Sequence, residues 1–211
     1  MLLKRLPSLL FAIFFAQSSW LAYANTNPQV IMETSKGTFT LELYPDKAPK
    51  TVANFLAYVD DGFYDNTIFH RIVPDFVIQG GGFEKGMKPK KTRKSIKNES
   101  SKRFKKLTGT NAKTRKTHPH TATTKFFINL NNNASLDWKA DFQPGYTVFG
   151  RVSQGMDVIA EIAKVPTKTL DRMQNVPTED IYILSARRKV PEAENTADEK
   201  AQAITAPPAN E

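Results

Sequence analysis

The stretch at residues 69–83, Phe-His-Arg-Ile-Val-Pro-Asp-Phe-Val-Ile-Gln-Gly-Gly-Gly-Phe, sets the tightest limits on what this chain can become. Its Phe, Ile and Val residues suit two strands, one around Phe69 and one over 76–79. Pro74 and Asp75 interrupt them, and three consecutive glycines then let the backbone turn or lie close against a neighbour. In a pair of strands joined at Pro74, Arg71, Phe76 and Gln79 converge on one surface. A guanidinium held among apolar side chains is a strong donor, suited to polarising an uncharged group. An ordinary core strand pair with Arg71 in a salt bridge would use the same residues, so this stretch alone leaves both readings open.

The remaining pattern is mostly strand. Residues 30–34 and 38–44 read as a hairpin across Ser35-Lys36-Gly37, with Phe39, Leu41 and Leu43 alternating against Thr38, Thr40 and Glu42. Val52, Phe55, Leu56 and Val59 fall at helical spacing, which predicts an amphipathic helix over 51–58 that stops at Gly62. Residues 84–108 are basic and poor in apolar side chains, hence loop. A strand is expected over 109–115, although Asn111, Lys113 and Thr114 make it unusually polar. Lys-Phe-Phe-Ile-Asn-Leu at 125–130 is a buried strand, 131–146 is turn-rich, and 147–152 is a further strand. Met156, Val158, Ile159 and Ile162 share one face of a second helix over 156–163, and 181–186 is the last strand. Many short strands with two separated helices predict an all-β-dominated fold, a closed antiparallel barrel with helices capping its ends.

The ends carry other signals. Lys4 and Arg5 precede a largely apolar run over 6–21, and Ala22-Tyr23-Ala24 supplies small residues at a cleavage site. This predicts a signal peptide over 1–24, cut after Ala24, with export to the periplasm. An uncleaved anchor is the alternative, but Pro7 and Gln17-Ser18-Ser19 break the run, which is short for a span. No later stretch is predicted to cross a bilayer. From Val190 the chain has no apolar periodicity, so 190–211 is expected to be a disordered tail and 25–189 the folded domain.

With no cysteine and three histidines, of which His118 and His120 lie in a polar loop, neither thiol chemistry nor a metal site is expected, and no cofactor. The formal charge of +9 is concentrated: residues 85–125 hold 15 Lys and Arg against one acid, Glu99. That marks either an anion-attracting face, with Lys113 and Lys116 bordering the groove, or a solvated basic loop that aids solubility.

The run at 69–83, together with KFFINL, GYTVFGRVSQGMDVI and APKTVANFLAYV, closely resembles the cyclophilin family of peptidyl-prolyl isomerases. The leader, IKNES and QNVPTEDIYILSA are most similar to the secreted bacterial branch. The resemblance spans residues 30–188 and implies an eight-stranded antiparallel barrel capped by two α-helices. It implies Arg71 as the catalytic donor, with a proline pocket of Phe76, Phe127 and Leu136, lined also by Val77 and Tyr146. Gln79 would bind substrate backbone and orient Arg71, while Thr114 and Arg115 would pair with the peptide preceding the proline, as an added strand. The partners implied are proline-containing polypeptides, unfolded or exported, with no specific nucleic acid, and a monomer is expected. The chain departs from the family at four places. Val77 stands for a methionine, Ser135 for a tryptophan or phenylalanine, Lys125 for a glutamine, and the run at 109–116 puts polar and cationic residues where relatives are apolar and small. A second reading is a weakly active scaffold that binds partners through the basic face at 85–125.

Overall fold

Alternation decides the fold from its first hairpin onward. In the computed structural model, which describes residues 27–101, 104–114 and 118–190, β1 (Gln29–Thr34) pairs with β2 (Gly37–Leu43). The register sets Val30 against Leu41 and Met32 against Phe39, so one face of the hairpin is wholly apolar and buried. Thr34 fixes the turn: its Oγ1 donates to the Gly37 carbonyl at 2.7 Å and accepts from Lys36 N at 3.1 Å. Helix α1 (Pro49–Asp60) follows, burying Val52, Phe55, Leu56 and Val59 as the spacing predicts. Ala48 offers its first turn no side-chain cap. Glu99 fills that place from the distant loop, accepting from Lys50 N, Thr51 N and Thr51 Oγ1 at 3.1, 2.8 and 2.7 Å. An anion is favoured there, because the first N–H groups of a helix lack partners and its dipole is positive at that end.

Next come β3 (Thr67–Val73), β4 (Val77–Gly80) and the two-residue ladder β5 (Phe83–Glu84) and β6 (Lys88–Pro89). They are followed by β7 (Thr110–Lys113), β8 (Phe126–Asn129) and β9 (Val148–Gln154). Helix α2 (Met156–Ala163) spans the predicted residues, and β10 (Thr167–Leu170), β11 (Met173–Pro177) and β12 (Tyr182–Arg188) end the described chain. Eight strands close into an antiparallel barrel in the order β1-β12-β3-β4-β8-β7-β9-β2. The predicted barrel and its two helices are therefore present. Sequence reading missed the β10–β11 hairpin, which lies against β3, and the small ladder inside the basic loop. No helix among the described residues is long and apolar enough to cross a membrane. The expected signal peptide at 1–24 lies outside the described residues, as does nearly all of the expected tail at 190–211.

The barrel interior is aromatic. Phe55 packs against Tyr64, Phe149 and Phe126, with ring centroids 5.1, 5.2 and 5.8 Å apart. Gly81, at φ 77°, is obligatory here, since a Cβ would come within 2.9 Å of the Tyr64 and Phe126 rings. Among these rings sits Lys113, 2% exposed, with its Nζ 5.5 and 5.6 Å from the Phe55 and Phe149 centroids. This corrects the expectation that Lys113 borders the groove. Lys113 and Asn111 pair in register with Phe126 and Ile128, both core residues, so strand alternation turns their side chains inward. Lys106 is buried as well, so two cations counted toward the basic face lie inside the protein.

Candidate active site

A β-bulge decides where Arg71 points. Along β3, Phe69 and Ile72 both belong to the core, three residues apart, which strict alternation forbids. The register shifts between Phe69 and Arg71, so that Phe69 faces Gly80 while Arg71 faces Gln79. The irregularity falls at His70 and turns Arg71 out of the barrel beside Gln79, as a bulge re-aims a side chain. At the hairpin tip Asp75 takes φ 58° and Phe76 N donates to the Val73 carbonyl at 3.1 Å, which swings Phe76 back over the same surface.

The outward faces of four adjacent strands supply the pocket. Val77 of β4, Phe127 of β8, Ala112 of β7 and Val148 of β9 form a second buried apolar cluster, separate from the barrel core. Phe76, Phe104, Leu136 and Tyr146 pack around it, half-buried. Phe127 and Tyr146 meet edge to face, with centroids 5.5 Å apart at 85°. Each wall is braced from behind. Asn133 Nδ2 donates to the Phe76 carbonyl and to Asn129 Oδ1, both at 2.8 Å, and a short 3-10 turn (Ala134–Leu136) then presents Leu136. Asp137 accepts from Lys106 N at 2.9 Å, tying Leu136 to the loop that carries Phe104.

The polar side of the site is sparse. Gln79 Nε2 donates to Thr114 Oγ1 at 3.0 Å, and Thr114 N donates to the Lys125 carbonyl at 3.0 Å. Gln79 is thus Arg71's cross-strand partner, but its donor goes to Thr114; no Gln79–Arg71 hydrogen bond occurs among the described residues. Lys125 lies with its ammonium 3.9 Å from the Phe83 centroid. Its stem passes over Gly82, where a Cβ would come within 2.5 Å. His70, beneath Arg71, is held neutral: burial first, then the charges of Lys125 and Arg71, push its pKa down to about 3.

Of the residues expected at the site, Arg71, Phe76, Val77, Gln79, Thr114, Phe127, Leu136 and Tyr146 gather on this one surface. Arg115 lies outside the described residues, and Ser135 is exposed. Phe104, Ala112 and Val148 belong to the pocket and were not foreseen. Ala112 and Val148 are legible only once the register of β7 against Phe127 is known, and Phe104 only as a lone aromatic in a basic loop. The arrangement suits a rigid apolar ring set beside one guanidinium.

Known proteins agree with this fold. Residues 29–188 match the family described as cyclophilin type peptidyl-prolyl cis-trans isomerase/CLD. The chain is 46% identical over 168 residues to a peptidyl-prolyl cis-trans isomerase of Acinetobacter baylyi, covering 80% of this chain and 89% of that protein. It is equally 46% identical to peptidyl-prolyl cis-trans isomerase B of Escherichia coli K12, over 74% of this chain and 96% of that one. Among solved structures, a cyclophilin type peptidyl-prolyl cis-trans isomerase of Cryptosporidium parvum superposes with a TM-score of 0.66 at 24% identity, covering 78% of this chain and 99% of that one. The chain belongs to the cyclophilin-type peptidyl-prolyl cis-trans isomerase family.

Proposed function

We propose that this isomerase works by non-covalent stabilisation of the twisted prolyl amide with Arg71 as donor, and that it assists the folding of exported proteins in the periplasm. Amide resonance sets a barrier of about 18–20 kcal/mol to rotation about the peptide bond. No bond need be made or broken, only a site that binds the twisted amide better than either planar form. As the amide twists, its nitrogen regains a lone pair, and a fixed guanidinium N–H donates to it. The pocket of Phe127, Leu136 and Tyr146 holds the proline ring while the rest of the peptide turns.

The observation that carries this reading is the bulge at His70, which sets Arg71 on the pocket side of β3, opposite Gln79. Gln79 is pinned by Thr114 at the end of β7, along which an extended peptide would lie beside the pocket. The apolar run at 6–21 behind Lys4 and Arg5, closed by Ala22-Tyr23-Ala24, supports the periplasmic part of the proposal.

Arg71→Ala is expected to lower kcat/KM for a neutral proline peptide about hundredfold or more, with an unchanged melting temperature, because it removes only the donor. Equal activity at matched stability would refute the assigned mechanism. Detection of the uncleaved chain in the cytoplasm of the producing cell would refute the export part alone.

A further inference from the structure

A second depression beside Arg71 shares no lining residue with the apolar cluster of the proline pocket. It measures about 370 Å³ and is lined among others by His70, Arg71, Phe83, Lys125, Arg172 and Asn175. Three of these are cations, drawn from three separate elements. Arg71 comes from β3, Lys125 immediately precedes β8, and Arg172 lies in the turn between β10 and β11. No acid is among the described lining residues. The nearest carboxylate along the chain from Phe83, Glu84, pairs with Lys90 at 3.8 Å. Neither Arg71 nor Arg172 has an ion-pair partner among the described residues.

The floor is the second observation. His70 is 7% exposed, stands edge to face with Phe83 at 4.7 Å, and its buried Nδ1 has no hydrogen-bond partner. A buried polar atom without a partner is costly unless something reaches it. Like charges gathered near such an atom, two of them arginines outside any described ion pair, form a site prepared for an anion. The lysine is this chain's own departure from the glutamine of the family, and Arg172 arrives on a hairpin that sequence reading missed.

We propose that this depression is an anion subsite that selects peptide substrates carrying a carboxylate side chain on a residue flanking the isomerised proline. It rests on the isomerase reading, since it shares Arg71 with the prolyl site and is therefore within one residue's reach of the prolyl bond. Lys125 and Arg172 supply charge at its rim. Phe83 holds the ammonium of Lys125 at the depression, and the neutral, buried His70 lines it. The diffuse charge of residues 85–97 is not required.

The test uses the full-length domain and four blocked tetrapeptides, N-acetylated and C-amidated: Ala-Glu-Pro-Ala, Ala-Gln-Pro-Ala, Ala-Ala-Pro-Glu and Ala-Ala-Pro-Gln. Isomerisation is followed by magnetisation-exchange NMR, which needs no coupling protease. At low salt one glutamate peptide is expected to exceed its glutamine counterpart in kcat/KM by about two- to fivefold. That ratio should fall toward one at about 1 M salt, where the Debye length is about 3 Å. Which peptide shows it places the carboxylate before or after the proline. Lys125→Gln with Arg172→Ala is expected to abolish the ratio. Arg172→Glu alone, at an exposed turn where folding is not at risk, is expected to invert or erase it. A ratio of one for both glutamate peptides, or a preference that survives both variants, would overturn the subsite. Turnover of the glutamine peptides by the unmutated protein separates that failure from failure of the isomerase reading.

Discussion

The two faces of β7 obey opposite rules. Outward, Ala112 lies in register with Phe127 and is small and apolar, as a pocket wall must be. Inward, where a barrel strand ordinarily carries aliphatic side chains, the same strand sends Asn111 and Lys113 among Phe55, Phe126 and Phe149. Both Asn111 side-chain atoms are buried without partners, and Lys113 Nζ reaches one acceptor, the Thr124 carbonyl at 3.4 Å. The contrast teaches that a strand can serve a binding surface on one side while weakening its own barrel on the other. The strand is held by its ladders to β8 and β9, which position Ala112 whatever the inward side chains cost.

The largest expected effect tests the inward face. Burial depresses the Lys113 pKa to about 7, against 10.5 for a free lysine. Between those two values the unfolded chain binds more protons than the folded one, so this lysine makes stability rise with pH from about 7 to 10.5. Below pH 7 both states carry the charge and the penalty is full. Lys113→Met is therefore expected to raise stability by about 2–4 kcal/mol at pH 7 and to remove that rise, with kcat/KM unchanged. Chemical denaturation at a series of pH values measures it; a less stable methionine variant would show that the ammonium contributes more to the rings than its burial costs.

The outward face should respond in the opposite sense. Phe127→Ala is expected to lower kcat/KM about tenfold to hundredfold by opening the wall that meets Tyr146. Its stability loss should be smaller than that of an equivalent truncation at Phe126, one residue away and facing the core. If activity survives Phe127→Ala, the apolar cluster is packing rather than a proline pocket. The smallest effect belongs to Asn111→Leu, the same branched shape without polar atoms, expected to gain about 1–2 kcal/mol in a thermal or denaturant melt. No gain there would mean that Asn111 finds a partner in solution.

Much of this could be read from the residues, and the failures have physical causes. Helix α2 was legible because Met156, Val158, Ile159 and Ile162 repeat at helical spacing, and its observed bounds match. The β3–β4 hairpin was legible from Pro74-Asp75 between apolar runs, but not the bulge at His70, which depends on how Phe69 packs against Gly80. The burial of Lys113 was hidden because alternation cannot say which face of a polar strand turns inward. The β10–β11 hairpin escaped because Thr-Lys-Thr-Leu-Asp-Arg-Met-Gln has no apolar period. It is largely exposed and held mainly by backbone pairing. With it went Arg172, and so the second depression. Resemblance to the family suggested the pocket residues, while Lys125 and Arg172 had to be located in space.

The order of strands around the barrel has a consequence in time. β12 lies between β1 and β3, with Ile31 opposite Arg187 and Ile68 opposite Tyr182. A chain made from its amino end therefore holds two strands with bare hydrogen-bonding edges until its last strand emerges, some 110 residues after β3. Neither can be satisfied early by a local partner, and such edges invite pairing with other chains. Arg71 sits on one of the two waiting strands. Catalytic activity should then return during refolding only with the step that docks β12, and a chain truncated before Tyr182 should be inactive and prone to aggregate even though every residue of the pocket is already present.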